Sequence, residues 1–256
     1  MSKIIAIMFL LCCGMMLFGC ADDNGRRKAE QQKTIVVTDS VGRKVELPYP
    51  LERVAVCNVY NAELITAVGA IDKIVGVDNY IFKDQSGFKN RFNETQVFGI
   101  SQNAMNYEKL AELSPQAVII TGEGTWRDAQ EMLDRFGIKV IVINSYYTDQ
   151  FADNCRLIGR IFGREEQAEE LVNYFNDKLA YIQKQLQGVP RRSLYFEYRT
   201  LGKTAVPGDY FYKMVEYSGA DNIFAAAKGS QVDQEAIIEK DPQYLSLIHI
   251  SEPTRP

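Results

Sequence analysis

The sequence predicts an α/β protein of two lobes that one long helix connects, and three observations predict it. Residues 164–187 contain neither glycine nor proline, and their apolar residues recur at steps of three and four, which places them on one helical face. Residues 34–143 alternate short apolar strands with helices, an order typical of a parallel sheet covered by helices. A spacing of capping residue, glutamate and proline found before the long helix returns after it, which indicates a second, similar lobe.

The helix over residues 164–187 would be roughly 36 Å long at about 1.5 Å per residue, which is the width of a small domain. Gly188 and Pro190 end it. We interpret residues 149–188 as a connecting helical segment, and the alternative is a long surface helix on a single domain. Glutamates crowd its first half, where the helix dipole favours negative charge: Glu165, Glu166, Glu169 and Glu170.

The composition narrows the class of protein and its partners. The chain has 256 residues, of which 46% are hydrophobic, enough for the core of one large domain or two small ones. A net charge of −4 and a pI of about 5.3 argue against nucleic acid as a partner. The one histidine, His249, lies in a tail that we do not regard as native, and no metal-ligand spacing is present. The sequence therefore predicts no metal site, no cofactor and no histidine-based catalysis.

Residues 1–19 predict an export signal, because a short positive start precedes an apolar run that is too short for a membrane span. The run ends Leu-Phe-Gly directly before Cys20, which resembles the lipobox of bacterial lipoproteins, although Phe18 is larger than the residue usual there. Cys20 would carry lipid, and the polar residues 20–33 would form a flexible tether. We expect an anchor at the cell envelope, on the periplasmic face of a membrane or on the cell surface. An export signal with an incidental cysteine is the alternative.

The first lobe is predicted over residues 34–148. The strand at residues 53–57 is mostly apolar, as expected of a strand buried on both faces of a parallel sheet. Cys57 ends that strand and Cys155 lies on a helix, so we expect two free buried thiols, while a disulfide between them stays open. The other strands are predicted at residues 34–38, 44–47, 74–77, 117–121 and 139–143, and helices at 62–68, 107–113 and 127–136.

Ligands of parallel sheets sit beyond the carboxyl ends of the strands. The loops predicted at that edge carry the candidates for a ligand wall: Tyr60, Asn61, Tyr80, Trp126, Tyr146 and Tyr147. The alternative is that the aromatic rings pack in the core. Arg199 follows the first strand of the second lobe, where it would meet an anionic ligand, or else it is a surface arginine near a turn.

The repeated spacing singles out two glutamates. Glu108 stands two residues after a capping residue, and Pro-Gln follows seven and eight residues later; Glu235 repeats the same spacing. Both fall in the first turn of a predicted helix, where one interpretation has them serve only the helix dipole and its cap. In the other interpretation, the matched carboxylates dock onto arginines of a symmetric partner, because carboxylate and guanidinium pair well.

Residues 189–245 predict only part of a second lobe, with a strand at 193–198, a helix at 211–218 and the helix of Glu235. Residues 246–256, together with Leu245, resemble the translation of a transposase-type sequencing adapter, Leu-Ser-Leu-Ile-His-Ile-Ser-Glu-Pro-Thr-Arg. We therefore expect the natural protein to continue beyond this point, with the C-terminal lobe truncated here.

Residues 34–245 resemble the substrate-binding proteins of ABC importers for iron–siderophore complexes, haem and cobalamin. The resemblance implies two Rossmann-like lobes on a rigid helix, a ligand held between them, and Glu108 and Glu235 matching the glutamates that dock onto permease arginines. It places Tyr60 at a ligand-contact position. The residues that carry it are Thr-Asp-Ser-Val-Gly-Arg at 38–43, Arg-Val-Ala-Val at 53–56, Ala-Val-Gly-Ala at 67–70, Lys-Ile-Val-Gly-Val at 73–77, Asn-Tyr-Glu-Lys-Leu at 106–110, Leu-Ser-Pro at 113–115 and the Glu235 segment.

The resemblance and the repeat together lead to one functional prediction. We expect a lipid-anchored binding protein, not an enzyme, that captures a metal-chelate ligand and delivers it to an ABC permease and its ATPase. A ferric siderophore or cobalamin fits the aromatic edge, and haem fits less well because the native part offers no histidine. One alternative is a metal-cluster-binding enzyme component, for which the native chain offers only Cys57 and Cys155. Another is a surface lipoprotein that hands ligand to an outer-membrane uptake complex.

Overall fold

A computed structural model of the chain describes residues 33–84 and 87–248. The predicted signal peptide, Cys20 and His249 lie outside these residues, so the predictions made for them stay predictions. Within the described ranges, strands and helices alternate as the sequence predicts, from a hairpin that begins at Thr34 to a last strand that ends at Leu247.

The first lobe is a parallel sheet preceded by an antiparallel hairpin. Its sheet has the order β5-β4-β3-β6-β7, so the chain starts in the centre, builds outward on one side, and then builds outward on the other. The hairpin consists of β1 (Thr34–Thr38) and β2 (Lys44–Pro48), and it is followed by β3 (Val54–Val56), α1 (Val59–Ala67), β4 (Ile74–Asp78), α2 (Asn79–Lys83), β5 (Val97–Gly99), α3 (Tyr107–Glu112), β6 (Ala117–Ile120), α4 (Trp126–Asp134) and β7 (Lys139–Val142).

The central strands are apolar on both faces because helices cover both faces of the sheet. Val54 and Val56 belong to one apolar cluster, whereas Ala55 between them belongs to the other. Strand β6 repeats this alternation, since Ala117 and Ile119 pack in the first cluster and its other two residues pack in the second. The prediction of a doubly covered parallel sheet is confirmed.

Two helices lead from the first lobe to the second, α5 (Phe151–Phe162) and α6 (Glu165–Gln185). The predicted long helix is confirmed to within two residues at each end. The two helices pack closely at Gly159, because a Cβ added there would lie 2.5 Å from the Cβ of Ala168.

The apolar face of α6 is shorter than the sequence pattern predicts. Ala168 and Val172 are buried, and the ring of Phe175 lies 4.3 Å from that of Phe151. In the last turns the face meets solvent instead, and Ile182 is 39% exposed. Only the first half of the long helix therefore contributes to the core of the first lobe.

The second lobe has a separate sheet with the order β10-β8-β9, in which all strands are parallel. Two sheets that share no strand confirm the two-lobed α/β class. Ser246 and Leu247, which the sequence analysis assigns to the adapter-like tail, extend the last strand of this sheet. The origin of the tail and the predicted lobe boundaries stay predictions. The elements are β8 (Ser193–Glu197), α7 (Tyr212–Tyr217), β9 (Asp221–Asn222), α8 (Gln234–Glu239) and β10 (Tyr244–Leu247).

Three segments predicted as loops are in fact the first turns of helices. Helix α1 begins at Val59 because the side chain of Asn58 accepts the N–H of Tyr60 at 3.0 Å. Helix α2 begins after Asp78, whose carboxylate accepts the N–H of Ile81, also at 3.0 Å. Helix α4 begins at Trp126 itself. The polar residues that suggested loops at the first two places are helix caps.

A buried ion pair fastens the hairpin to the sheet. The side chain of Asp39 has no exposed surface, and it accepts the backbone N–H of Arg43 at 2.9 Å and its guanidinium at 2.6 Å. The same guanidinium donates to the carbonyl of Val140 on the edge strand β7 and lies 4.3 Å from the centre of the Trp126 ring. One arginine thus joins the hairpin, the sheet edge and α4.

Replacing Asp39 by Ala should destabilise the protein by about 3 kcal/mol, because it leaves a partly buried guanidinium without its partner. Urea unfolding followed by circular dichroism measures this loss. Glu46→Ala in the same hairpin removes an exposed carboxylate and should change the free energy of unfolding by less than about 0.5 kcal/mol. An equal loss of unfolding free energy in both variants would show that the buried ion pair stabilises the protein no more than the exposed carboxylate does.

Candidate ligand-binding cleft

The carboxyl ends of four strands of the first lobe open onto one cavity of about 750 Å³. It lies where the sheet order reverses, with β3 and β4 on one side and β6 on the other, the place where open parallel sheets bind ligands. The second lobe contributes Arg199. The lining residues are Asn58, Val59, Tyr60, Glu63, Asp78, Tyr80, Ser101, Gln102, Asn103, Thr121, Glu123 and Arg199.

Tyr60 and Tyr80 present their rings to this cavity from the first turns of α1 and α2. Their side chains are 48% and 64% exposed. The two turns share one anchor, because Asp78 accepts the N–H of Asn58 at 3.1 Å with one oxygen and the N–H of Ile81 with the other. Burial raises the pKa of Asp78, while backbone N–H groups oppose that rise. The carboxylate of Asp78 therefore positions both tyrosines.

A loop after β5 closes another side of the cavity. Gln102 accepts the backbone N–H of Thr121 at 2.9 Å and its hydroxyl at 2.8 Å, and its amide donates to the carbonyl of Glu123. These bonds attach the loop to the end of β6. Gln102 could not be predicted from the sequence, because β5 has three residues and shows no readable periodicity.

Tyr146 packs against Tyr147 and also contacts an aromatic ring of the second lobe. Their ring centres are 4.7 Å apart, and the ring of Tyr146 makes an edge contact with Tyr210 at 5.8 Å. Tyr210 in turn packs against Tyr198 at 5.7 Å and Phe211 at 4.3 Å. The aromatic cluster of these five residues connects the lobes beside the cleft. Tyr210 was missed because it follows a Pro-Gly-Asp turn and precedes a short helix.

Tyr146 also lies close to the acidic wall of the cleft. Burial raises the pKa of its hydroxyl well above the usual range, and the nearby carboxylate of Glu123 adds to that rise. At neutral pH the hydroxyl therefore stays protonated, and it donates to the amide oxygen of Asn144 at 3.4 Å.

Arg199 reaches the cavity from a loop with an unusual backbone. Its φ is +64°, a left-handed value that is uncommon outside glycine, and its guanidinium lies 5.9 Å from the Tyr210 ring. The loop is held by the buried carboxylate of Glu197, which accepts the N–H of Gly202 at 2.6 Å and the hydroxyl of Tyr195 at 2.5 Å. A strained residue held by its surroundings is typical of a functional position.

Asn61 and Trp126 lie apart from the described lining of the cleft. Asn61 is fully buried, where its amide donates to the carbonyl of Cys57 at 3.2 Å and accepts the hydroxyl of Ser145 at 2.6 Å. Trp126 is 8% exposed and stacks between Arg43 and Arg127. Both residues have packing partners that account for their positions, and their predicted contact with ligand stays untested.

Glu108 and Glu235 occupy matching places in the two lobes. Asn106 caps α3 by accepting the N–H of Lys109 at 2.9 Å, and Asp233 caps α8 by accepting the N–H of Ala236 at 2.8 Å. Each glutamate is exposed in the first turn of its helix, and no ion pair forms at either one within the described part of the chain. Asn106 and Asp233 therefore cap the two helices, and neither glutamate is needed for capping.

Cys57 and Cys155 are free and buried, as the sequence predicts. Burial raises the pKa of both thiols, that of Cys155 to about 12, and the negative charge of Asp78 adds to the rise at Cys57. Thiols with raised pKa values stay protonated at neutral pH and react slowly.

Iodoacetamide should therefore leave both thiols unmodified in the folded protein and modify both after unfolding in urea. Mass spectrometry of the peptides that contain Cys57 and Cys155 gives the extent of reaction at each. Rapid labelling of either cysteine without denaturant would contradict the burial described for it.

Among residues 33–84 and 87–248, no helix is both long and apolar enough to cross a bilayer, and no three His, Cys, Asp or Glu side chains are grouped to hold a metal ion.

A family model described as periplasmic binding protein matches residues 54–248. The chain belongs to the periplasmic binding protein family. It is thus a solute-binding protein of ABC transporters that works in the periplasm or cell envelope, and its relatives are transport proteins rather than enzymes.

Three relatives of this family member differ in the ligand they are named for. The vitamin B12-binding protein of Salmonella typhimurium is 23% identical over 76% of this chain and 71% of its own length. The molybdate-binding protein MolA of Haemophilus influenzae is 27% identical, over 81% of this chain and 66% of its own length. The petrobactin-binding protein YclQ of Bacillus subtilis is 21% identical, over 97% of this chain and 80% of its own length. The family is common to all three, and the ligand is not.

A solved relative supports the fold of this periplasmic binding protein. The periplasmic solute-binding protein of Veillonella parvula superimposes with a TM-score of 0.65 at 25% identity, over 83% of this chain and 68% of that one. The predicted resemblance to the binding proteins of ABC importers is confirmed.

Proposed function

We propose that this chain captures a metal-chelate ligand, a ferric siderophore or a corrinoid such as cobalamin, between its two lobes. It delivers the ligand to the permease and ATPase of an ABC importer and does no chemistry itself. Lipid on Cys20 holds it at the membrane. The observation that carries the proposal is the cleft of about 750 Å³, whose walls come from the first lobe and from Arg199 of the second.

The size of the cleft favours a large ligand. Cavities that enclose organic ligands of moderate size measure about 300–1,000 Å³. The cleft, at about 750 Å³, falls in that range. A tetrahedral oxyanion such as molybdate would occupy a small part of it and leave most of its polar walls unpaired. The molybdate-binding relative is therefore a weaker guide to the ligand than the relatives named for vitamin B12 and petrobactin.

The chemistry of the walls favours a flat or macrocyclic ligand. Tyr60 and Tyr80 offer exposed aromatic faces, which pack against planar groups while their hydroxyls reach polar ones. Haem remains a weaker candidate, since its iron would take tyrosine rather than histidine from the described walls.

Tyr60→Ala and Tyr80→Ala should each weaken ligand binding about tenfold, equivalent to ~1.4 kcal/mol, because each removes one stacking face. Titration calorimetry with a corrinoid, ferric siderophores, haem and molybdate identifies the ligand and measures the loss. Tyr181→Ala is the matched control, since that ring is 61% exposed on the long helix away from the cleft. Tight binding of molybdate alone would overturn the chelate assignment.

Delivery depends on the matched glutamates of the two lobes. Their helices are already capped by Asn106 and Asp233, so the glutamates themselves stay available to a partner. Two exposed carboxylates, one in each lobe, suit a partner that presents an arginine at two symmetric positions.

The double variant Glu108→Ala/Glu235→Ala should abolish ligand uptake by cells and leave ligand binding unchanged. The double variant Glu112→Ala/Glu239→Ala is the control, because it removes two glutamates from the last turns of the same helices. Uptake of radiolabelled ligand is the measurement. Normal uptake by the first variant would favour transfer to an outer-membrane complex instead of docking on the permease.

A further inference from the structure

The charged groups on the walls of the cleft are mostly acidic. Glu63, Asp78 and Glu123 supply three carboxylates, and Arg199 is the one cationic side chain among the described lining residues. Because the cleft is partly closed from water, charges on its walls act more strongly on a ligand than they would on an open surface.

Within the described part of the chain, the negative charges of two of the three carboxylates are not compensated by an ion pair and are available to a ligand. Asp78 is buried and accepts backbone N–H groups, so its charge is already compensated. Glu63 and Glu123 are exposed, and no ion pair forms at either within residues 33–84 and 87–248. The hydroxyl of Tyr146 lies near Glu123 but donates to the amide oxygen of Asn144 at 3.4 Å, and because it is neutral it does not compensate the charge of Glu123.

A second carboxylate, that of Asp84, lies near Glu63. Partial burial raises the pKa of the Glu63 carboxyl, although much of the side chain stays exposed, and the negative charge of Asp84 raises it further. Arg199 stands on the opposite lobe, beside the Tyr210 ring. One cation thus faces three carboxylates on the described walls of the cleft, which leaves the lining with a net negative charge.

Glu63 also stands where two cavities meet. It lies one helical turn after Tyr60 on α1, and the same two residues line a second, mostly apolar cavity of about 230 Å³ between α1, α5 and α6. A positively charged group stacked on the Tyr60 ring would be within reach of the Glu63 carboxylate.

We propose that this cleft selects its ligand by charge: it takes neutral or cationic metal chelates and rejects anionic ones, with Glu63 and Glu123 as the residues that discriminate. The inference rests on the proposed function and narrows it. The accepted class comprises corrinoids rich in amide groups and ferric hydroxamate complexes that carry a free amine. The rejected class comprises ferric catecholate complexes, which are polyanions, and molybdate.

The test uses the full chain and three probes that differ in charge: a neutral corrinoid, a cationic ferric trihydroxamate with a free amine, and a trianionic ferric triscatecholate. Calorimetry should give dissociation constants for the neutral or cationic probe that are about tenfold or more below that of the anionic probe. Raising the salt concentration should weaken binding of the cationic probe, since added ions screen the acidic wall.

The double variant Glu63→Gln/Glu123→Gln should bind the anionic probe about tenfold more tightly than the wild type does, and the cationic probe about tenfold more weakly. Binding of the neutral corrinoid should change little. Glu166→Gln/Glu170→Gln on the long helix changes the net charge equally, outside the cleft, and should keep the wild-type preference.

Two failures are distinguishable. If the wild type binds the anionic probe as tightly as the others, or if the double glutamine variant keeps the wild-type preference, the charge inference is wrong and the chelate assignment stands. If no chelate of any charge binds to the folded protein, the proposed function itself fails, and this inference fails with it.

Discussion

Asp78 accepts the backbone N–H of Asn58 with one carboxylate oxygen and that of Ile81 with the other. The turn after β3 and the first helical turn after β4 therefore share one buried anchor. Removing it would leave donors without partners in a place that water barely reaches, which is costly. Because Tyr60 and Tyr80 stand on these two turns, the shape of the ligand edge depends on this carboxylate.

The two lobes contribute differently to the cleft. The first lobe supplies most of the wall from loops and helix starts that a parallel sheet brings to one edge, as its topology requires. The second lobe supplies Arg199 on a loop held by Glu197, and Tyr210, whose ring touches Tyr146. A parallel sheet thus fixes one side of the site, while a few aromatic and charged side chains set the other.

The fold could be predicted from the sequence further than the site could. A strand buried on both faces is a continuous apolar run, and a long helix repeats its apolar residues every three or four positions. Both patterns can therefore be recognised in a single sequence. The direction in which a side chain of the first helical turn points cannot be recognised in this way. Asn61 and Trp126 come from the predicted edge yet point into the core, because helix geometry turns them away. Tyr210 contacts Tyr146 beside the cleft through tertiary packing that no local pattern encodes.

The contact between Gly159 and Ala168 fixes the start of the long helix to the first lobe. With no side chain between them, the backbones of α5 and α6 are locked in register, and the start of the long helix turns only together with the first lobe. The far end of the helix packs against the second lobe, because a Cβ added at Gly219 would lie 2.7 Å from a methyl group of Leu186, the residue that ends the helix. The long helix is therefore attached to one lobe at each end, and a change in the distance between the lobes requires the helix to bend or one of these two contacts to break.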